Sequence, residues 1–563
     1  MSFESESEHR MIEILRILAD QEKPTGSKLI AQELKNKGFN LGERAVRYHM
    51  QILDEKGYTE RMGYSGRQIT ELGMEKLQKG LIYDQVDFIY SKFQEMIYLT
   101  DFDYRTQKGN VVVNTSNIHD DNALETIKDV FKSGLCVSPY VNIKKIGSSD
   151  YQIKTICGTT IDGILLNEGI TSIPLYGGLL EIENNTPTKF TELISYKKTS
   201  VTPLDAFVAP EMTSVLNVIN EGSGLIPANF RIIPSAVRSK TIDIIDNLTK
   251  NGIGGAVAIG EEGKNVLGIP VSEGMFGMAI LGGITPFCAA QELNYNIDIK
   301  IAEEITDFDT LRLIETRKPN YKLRCVDDST SYEQIPYFLS KAWNSIEMVD
   351  FDIEKKKGNI ISNVSYIPYS RLDDCLAIME ETYSQNTEYI NPFYRIIDHP
   401  TNDDEIGIAT ICSLTIDGIL IKNGIMSNPQ YGGLLETGKN PMFIDLISYT
   451  GSSIDPHKIF ISKNMTSISG DNPAKILASL KEIPYVSRDY AVYLLDIIKG
   501  IGFSIYKIGK PRELIYNAKV DNYNFGIVTG SGLNMVAALK ESGIDVKVKA
   551  MEKLISFESM DRF

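Results

Sequence analysis

Apolar residues at helical spacing open the chain. HRMIEILRILADQ sets Ile12, Leu15 and Leu18 on one face, and PTGSKLIAQELKNKG sets Leu29, Ile30 and Leu34 in a stripe. Pro24 to Ser27 form a helix start and Gly38 a stop. After the turn FNLG, ERAVRYHMQILDEKG carries two stripes. Val46, Met50 and Leu53 recur at i, i+4, i+7 and predict a core face, while Arg44, Arg47, Tyr48 and Gln51 recur at i, i+3, i+4, i+7 on another. YTERMGYSGRQIT then reads as two short strands around the turn Gly63–Gly66. Helices followed by a hairpin predict an N-terminal winged helix-turn-helix over 1–80. Leu81, Ile82, Val86, Ile89, Phe93 and Ile97 predict a connecting helix over 81–100, either packed on the body of the protein or pairing with another copy.

The rest of the chain is written twice. TICGTTIDGILLNEGITSIPLYGGLLEI at 155–182 aligns without a gap with TICSLTIDGILIKNGIMSNPQYGGLLET at 410–437, and 19 of 28 positions are identical. DFDYRTQKGNVVVNTSNI pairs with DFDIEKKKGNIISNVSYI, LISY and MTS recur, and FGMAILGG echoes FGIVTGSG. A period this long is a domain duplication rather than a solenoid. The copies span 101–310 and 349–563, with a polar linker at 311–348. Within the first, NFRIIP, SAVRSKTIDIIDNLTKNG, AVAIGE, FGMAILGG, TPFCAAQELN and IDIKIAE read as β-α-β-β-α-β, and the second repeats the order. The expected fold is therefore multidomain: a winged helix followed by two homologous α+β domains, each containing a ferredoxin-like βαββαβ unit.

Charge refines the picture by segment. The chain carries a formal net charge of −16, but residues 1–80 hold 13 Lys+Arg and 13 Asp+Glu. Within 24–67 the balance is 8 basic to 5 acidic. An acidic body with a locally basic head suits double-stranded DNA, since the body's repulsion suppresses non-specific binding. The polar stripe of the third helix fits that use. Arginine matches guanine and glutamine matches adenine, each with a two-point contact, while tyrosine and arginine also hold phosphates. Arg61, Tyr64 and Arg67 of the hairpin are then available to phosphate or minor groove. The competing readings are a solvated helix face and a winged helix used for protein contacts.

Six scattered cysteines, none in CxxC and none clustered with the five histidines, argue against a disulfide framework or zinc site. Reduced thiols, an acidic N-terminus without signal-peptide character and no apolar run long enough to span a membrane predict a cytoplasmic protein.

The repeated stretch holds the candidate chemistry. Asp162–Gly163 and Asp417–Gly418 lie between β-rich runs and predict hairpins. Tyr176, Gly177, Gly178 and their counterparts Tyr431, Gly432, Gly433 follow a proline and predict close-approach loops. Their amides either cradle an anion or simply connect strands. Cys157 and Cys412 recur, with Thr160 beside the first, but no histidine repeats between copies. A duplicated Cys/His enzyme therefore lacks its base, and a thiol lining a pocket or core fits better. Arg238 and Arg488 match between copies, each four residues after a proline; each is a carboxylate partner or an exposed helix-start residue. These residues form the candidate effector site. No catalytic or metal-ligating set is assigned.

A winged-helix head followed by two TIDG…PxYGGLLE domains resembles NrpR, the archaeal family of nitrogen-regulatory repressors. The resemblance covers the head, both repeats and their order. It implies a homo-oligomer, dimer or tetramer, that represses nitrogen-assimilation and nitrogen-fixation operons. It implies binding to a palindromic operator and release by 2-oxoglutarate as allosteric effector, with no other cofactor. The alternatives are a regulator of the same build sensing another metabolite, or an enzyme fused to a DNA-binding head. The copies diverge at Gly158–Thr159 against Ser413–Leu414, and at Ile173 and Leu175 against Asn428 and Gln430. One copy is thus expected to bind effector and the other chiefly to assemble the oligomer.

Overall fold

The computed structural model describes residues 3–19, 21, 23–36, 41–63, 65–78, 82–315, 324–325, 334–469, 473–511 and 513–563. Tyr64, Leu81 and Gly38 lie outside them. The head opens with α1 (Phe3–Ala19), α2 (Ser27–Asn36) and α3 (Glu43–Glu55). Ile12, Leu15, Leu18, Ile30, Leu34, Val46, Met50 and Leu53 close into one core. Leu29 stays 47% exposed, so the apolar stripe of α2 is narrower than its sequence predicts. Strands β1 (Thr59–Arg61) and β2 (Arg67–Ile69) pair antiparallel, with Thr59 opposite Ile69 and Arg61 opposite Arg67. Thr25, just before α2, bridges to Arg67 through both backbone bonds (2.9 and 3.0 Å). Gly66 permits that approach: at φ +117° its missing Cβ would lie 2.4 Å from the Thr25 carbonyl.

The segment after the wing forms two helices, α4 (Glu71–Gln78) and α5 (Ile82–Leu99). Phe93 of α5 is buried edge-on against Tyr196, with ring centroids 4.8 Å apart, and Ile89, Tyr90 and Met96 pack on the same core. The connecting helix therefore packs on the first repeat.

The chain divides into two compact units, Met1–Gln85 with Ile346–Leu446 and Ser467–Phe563, and Val86–Ser345 with Ile447–Thr466. A segment of the second repeat thus belongs to the unit that holds the first. There Thr199 bridges Ile447, and Ser453 exchanges hydrogen bonds with Leu193.

The first repeat begins with β3 (Asn110–Ile118), α6 (Asp121–Ser133), β4 (Tyr140–Lys145), β5 (Tyr151–Ile156) and α7 (Thr159–Asn167). Asp120 caps α6 by accepting from the Asn122 and Ala123 amides, and Gly134 ends it in the left-handed conformation. A hairpin, β6 (Ile173–Glu183) and β7 (Thr186–Ser195), turns at Asn184–Asn185, both at positive φ. Then come α8 (Val215–Glu221), β8 (Gly224–Pro234), α9 (Arg238–Lys250), β9 (Ala256–Ile259), β10 (Met275–Leu281), α10 (Thr285–Glu292) and β11 (Ile297–Asp307). Two short strands, β12 (Arg312–Leu313) and β13 (Arg324–Cys325), extend the two sheets.

Those sheets run β11-β3-β5-β4-β12 and β13-β9-β10-β8-β6-β7. The expected six-element unit corresponds to β8-α9-β9-β10-α10-β11. Its first three strands share a sheet, but β11 leaves it to pair antiparallel with β3. The place beside β8 is taken by β6, which arrives from α7. The two halves of the repeat thus exchange a strand. β6 is buried from Gly177 to Leu180, and a strand covered on both faces needs neighbours on both edges.

The second repeat follows α11 (Phe338–Glu347) and copies this plan. It runs β14 (Asn359–Pro368), α12 (Leu372–Gln385), β15 (Phe393–Asp398), β16 (Glu405–Ile411), α13 (Leu414–Lys422), β17 (Asn428–Glu436) and β18 (Met442–Ser448). It continues through α14 (Pro456–Ser462), β19 (Lys475–Pro484), α15 (Arg488–Ile501), β20 (Ile505–Ile508), β21 (Asn524–Gly530), α16 (Asn534–Glu541), β22 (Lys547–Ser556) and β23 (Asp561–Arg562). Its sheets run β22-β14-β16-β15-β23 and β18-β17-β19-β21-β20, with the same exchange by β17 and β22.

Candidate functional site

On α3 the two stripes separate as their spacing demands. Val46, Met50 and Leu53 are buried, whereas Arg44, Arg47, Tyr48 and Gln51 are exposed, Tyr48 by 63%. Arg47 is held in place: its Nη2 donates to Glu43 at 2.5 Å and its Nε to Ser27 at 3.1 Å, while Ser27 also donates to Glu43. The Arg47 and Ser27 bonds pull the Glu43 carboxyl below its ordinary range. Gln51 donates to Glu55 at 3.1 Å. Glu43 and Glu55 went unmarked in the sequence, although a carboxylate four positions from each donor is the signal. His49 is the other missed residue. It is buried on the core side of α3, and burial followed by the charge of Arg10 lowers its pKa.

In the wing, Arg61 is exposed. Arg67 is not free for a ligand: its Nε lies 2.7 and 2.9 Å from the two Asp54 oxygens, which ties the hairpin to α3. Arg67 supports the wing instead of extending from it, and Tyr64 falls outside the described residues.

In the body, the two aspartates are not at hairpin turns. Asp162 lies in α7 and Asp417 in α13. Ile161, Ile164 and Leu165 are buried at helical spacing, and this short period outweighs the Asp-Gly turn signal. The glycines allow close packing of the helix: a Cβ at Gly163 would lie 2.4 Å from Thr100, and one at Gly418 2.5 Å from Val349.

The tyrosine–glycine segments are likewise strands rather than loops. Gly177, Gly178, Gly432 and Gly433 lie within β6 and β17, just after a bulge at Leu175 and at Gln430, and Gly177, Gly178 and Gly433 are buried there. A Cβ on Gly178 would lie 2.1 Å from the Glu192 carbonyl oxygen, and one on Gly433 2.6 Å from Leu446. These amides serve the ladder and form no nest. Tyr176 accepts from the Tyr337 hydroxyl at 3.0 Å, and Tyr431 is half-buried. Thr160 is spent on the backbone, donating to the Val112 carbonyl and accepting from its amide. Arg238 donates to the Gly260 carbonyl at 2.7 Å and Arg488 to the Gly509 carbonyl at 3.2 Å, so both brace a glycine turn.

What the sequence missed is the partner of each aspartate. Arg231, on β8, grips Asp162 at two points: Nε to Oδ1 and Nη2 to Oδ2, both 2.7 Å. Ser172 donates to the same Oδ1 at 2.6 Å. Arg231 and Asp162 are 2% and 1% exposed, so the charges meet in the interior. In the second repeat Lys481 pairs with Asp417, and Ser427 donates to Asp417 at 2.6 Å. Pro174 faces Arg231 across the strands as Pro429 faces Lys481, which makes the two cations equivalent. Arg231 could have been found as the one cation in the apolar run NFRIIP.

The two copies differ in how completely the cation is satisfied. Lys481 also donates to the Ser413 carbonyl at 2.9 Å. Arg231 leaves Nη1 buried without a hydrogen-bond partner among the described residues. Such an orphan costs about 1–3 kcal/mol, more for a charged group. Around it lie Tyr196, donating to Asn229 at 2.5 Å, and Cys157, whose Sγ is 3.3 Å from the Thr159 hydroxyl. Burial raises the pKa of both the Cys157 thiol and the Tyr196 hydroxyl, while the charge of Arg231 acts against that rise. Cys412 is buried at the equivalent place.

Among the described residues no group of His, Cys, Asp and Glu is placed to hold a metal ion, and no helix is long and apolar enough to cross a membrane.

Known proteins share this plan. The family model for NrpR regulatory domains NRD1 and 2 matches residues 86–312 and again 335–562, and the model of the ribonuclease R winged-helix domain matches 12–77. The global nitrogen regulator NrpR of Methanococcus maripaludis is 35% identical over 558 residues, 98% of each chain. That of Methanocaldococcus jannaschii is 34% identical over 570 residues, covering 99% of this chain and 98% of its own. A solved structure of a nitrogen repressor-like protein from Methanococcus jannaschii shares 32% identity over 41% of this chain and 99% of its own, with a TM-score of 0.37. With both repeats and the head matched in order, and relatives aligned end to end, the chain belongs to the NrpR family of global nitrogen regulators.

Proposed function

We propose that this chain is a DNA-binding transcriptional repressor of nitrogen-assimilation and nitrogen-fixation genes, held on a palindromic operator and released by 2-oxoglutarate. The observation that carries the reading is the exposed stripe Arg44, Arg47, Tyr48 and Gln51 on the second helix of a helix-turn-helix, in a chain whose full-length relatives bear the name of nitrogen regulators. In this reading Arg47 exchanges Glu43 and Ser27 for a guanine edge and Gln51 exchanges Glu55 for an adenine edge. Arg44, Tyr48 and the wing residues Arg61 and Tyr64 hold phosphates and set register. Arg67 keeps the wing at its angle. A palindromic site calls for two heads about one DNA turn apart, hence a two-fold dimer.

2-Oxoglutarate is a dianion and needs buried donors in the body. It releases the operator by binding the weakly DNA-binding conformation better than the tightly binding one. Neither copy repeats a base beside its cysteine, which supports a sensor rather than an enzyme. A gel shift on operator DNA, with and without saturating 2-oxoglutarate, tests the reading. Retardation that 2-oxoglutarate abolishes is expected. No retardation, or a complex indifferent to the effector, rejects it.

A further inference from the structure

We infer that the second repeat is the seat of the head: Leu514 and the β17–β18 turn hold the winged helix through Tyr58 and α4, leave its reading stripe uncovered, and so aim it at DNA. The seat belongs to the chain whatever the head binds. Its consequence for operator binding rests on the repressor reading.

Three observations carry it. The first is an anchor. The head and most of the second repeat lie in one compact unit, and there Leu514 packs against the core of the head, as the head's own Tyr58 and Ile69 do. The loop that presents Leu514 is braced. Ile515 bridges Ala518, the Lys510 amide donates to Glu513 at 2.7 Å, and Lys507 pairs with Glu513 at 2.9 Å. A loop already ordered gives up little freedom on contact.

The second is the shape of the joint. It holds a cavity of about 290 Å³, lined by Tyr58, Leu72 and Lys76 from the head and by Lys439, Met442 and Pro473 from the second repeat. Leu72 and Lys76 stand four apart on one face of α4. Arg44, Arg47, Tyr48 and Gln51 line none of it and stay exposed. The joint therefore grips the head without covering its reading stripe. The void also forfeits packing contacts, so the seat restrains the head without fusing it to the body.

The third is a comparison within the chain. Phe190 donates to the Leu267 carbonyl and Phe443 to the Tyr516 carbonyl, and the bridge of Val266 to Ile269 matches that of Ile515 to Ala518. These bonds make Lys189 the equivalent of Met442 and Asn265 the equivalent of Leu514. The bonds of Ser214 to Leu225 and of Ser467 to Lys475 likewise make Ser223 the equivalent of Pro473. At each of the three places the first repeat is polar and the second apolar, and Lys189 and Asn265 are exposed. The repeat's own fold does not require the apolar residues, since the first repeat folds without them. The head accounts for them.

Two half-sites must be met by two heads at once. A head on a free tether loses more orientational freedom in that event than a seated one, so the seat raises the effective concentration of the second head at its half-site. A single half-site gains nothing from it.

The internal copy supplies a safe variant, Leu514→Asn, and Leu72→Asn breaks the same joint from the head side at a half-exposed position. Thermal unfolding checks that each is folded; should Leu514→Asn fail, Leu72→Asn decides. An amine-reactive cross-linker on the full chain, read by mass spectrometry with isotope-labelled and unlabelled chains mixed, should join Lys76 to Lys439 within one chain of the wild type and lose most of that product in the variants. DNA titrations should show the variants weakened at least roughly fivefold on the palindromic operator and unchanged on a duplex carrying one half-site. The inference is overturned by absence of the cross-link in the wild type, by a cross-link and operator affinity that both survive in the folded variants, by tighter operator binding in them, or by an equal loss on the half-site. A wild type that cross-links but retards no operator rejects the repressor reading, and with it the aiming at DNA, while the seat stands.

Discussion

Arg231 and Asp162 face each other in the interior of the first repeat, joined by two hydrogen bonds of 2.7 Å, with strand β8 supplying the cation and helix α7 the anion. The pair is the physical sense of the repeated TIDG: it locks a helix to a sheet through charge, and Asp417 with Lys481 does so again.

Breaking one side of this pair strands the other. Asp162→Ala leaves the Arg231 guanidinium buried beside no carboxylate, and such losses cost about 3–5 kcal/mol. Chemical denaturation should show that drop. The double variant Asp162→Ala with Arg231→Met should recover a large part of it, because a buried pair is costly to desolvate and an apolar replacement is not.

On the head, Arg47→Ala should weaken operator binding by roughly 1–3 kcal/mol and relax specificity at one base position. Arg67→Ala should act otherwise. Its partner is Asp54, so losing it loosens the wing and lowers affinity on all sequences alike. Binding titrations on the operator and on point-mutated operators distinguish these patterns; an Arg67→Ala effect confined to one base position would contradict the tether.

The buried glycines give a test of strand against loop. Gly178→Ala places a methyl carbon 2.1 Å from the Glu192 carbonyl oxygen, and overpacking of this kind costs about 1–3 kcal/mol. Gly26→Ala, which meets nothing within 4 Å, should leave the unfolding midpoint nearly unchanged. An anion nest would instead show lost ligand binding at constant stability.

Two carboxylates of the unit that holds the first repeat set a pH dependence. Burial raises the pKa of Asp455, which caps α14, and of Glu192, which accepts from Ser453 at 2.5 Å. A carboxyl raised in the folded state holds its proton more tightly there than when unfolded. Its contribution to stability is complete below the ordinary carboxylate pKa of about 4 and is lost as pH rises through the folded value. Asp455→Asn with Glu192→Gln should therefore flatten that part of the stability profile and gain relative to the parent as pH rises. Urea unfolding across pH 4–8, roughly the range above the ordinary carboxylate pKa, measures it.

Much of this was legible in order along the chain. The stripes of α3, the hairpin after it and the duplication at 155–182 and 410–437 are local patterns, and local spacing alone fixes which residues share a helix face. Misreadings came where a local signal met a distant constraint. Asp162–Gly163 carries a turn signature, yet Thr100 packs where a side chain on Gly163 would go, and the segment is helical. Pro174 to Gly178 looks like a loop, yet β7 and β8 flank it on both edges.

By itself the sequence determined a small locally basic head on an acidic body, one helix with a binding face, and a domain used twice. Periodicity and composition are properties of neighbours along the chain, and they survive without knowledge of the fold. Only the tertiary structure decided that β6 and β11 exchange sheets, that Arg67 serves Asp54, and that Arg231 meets Asp162 from 69 residues away. Those pairings follow from burial, since charges and strand edges removed from water must find partners wherever the chain brings them.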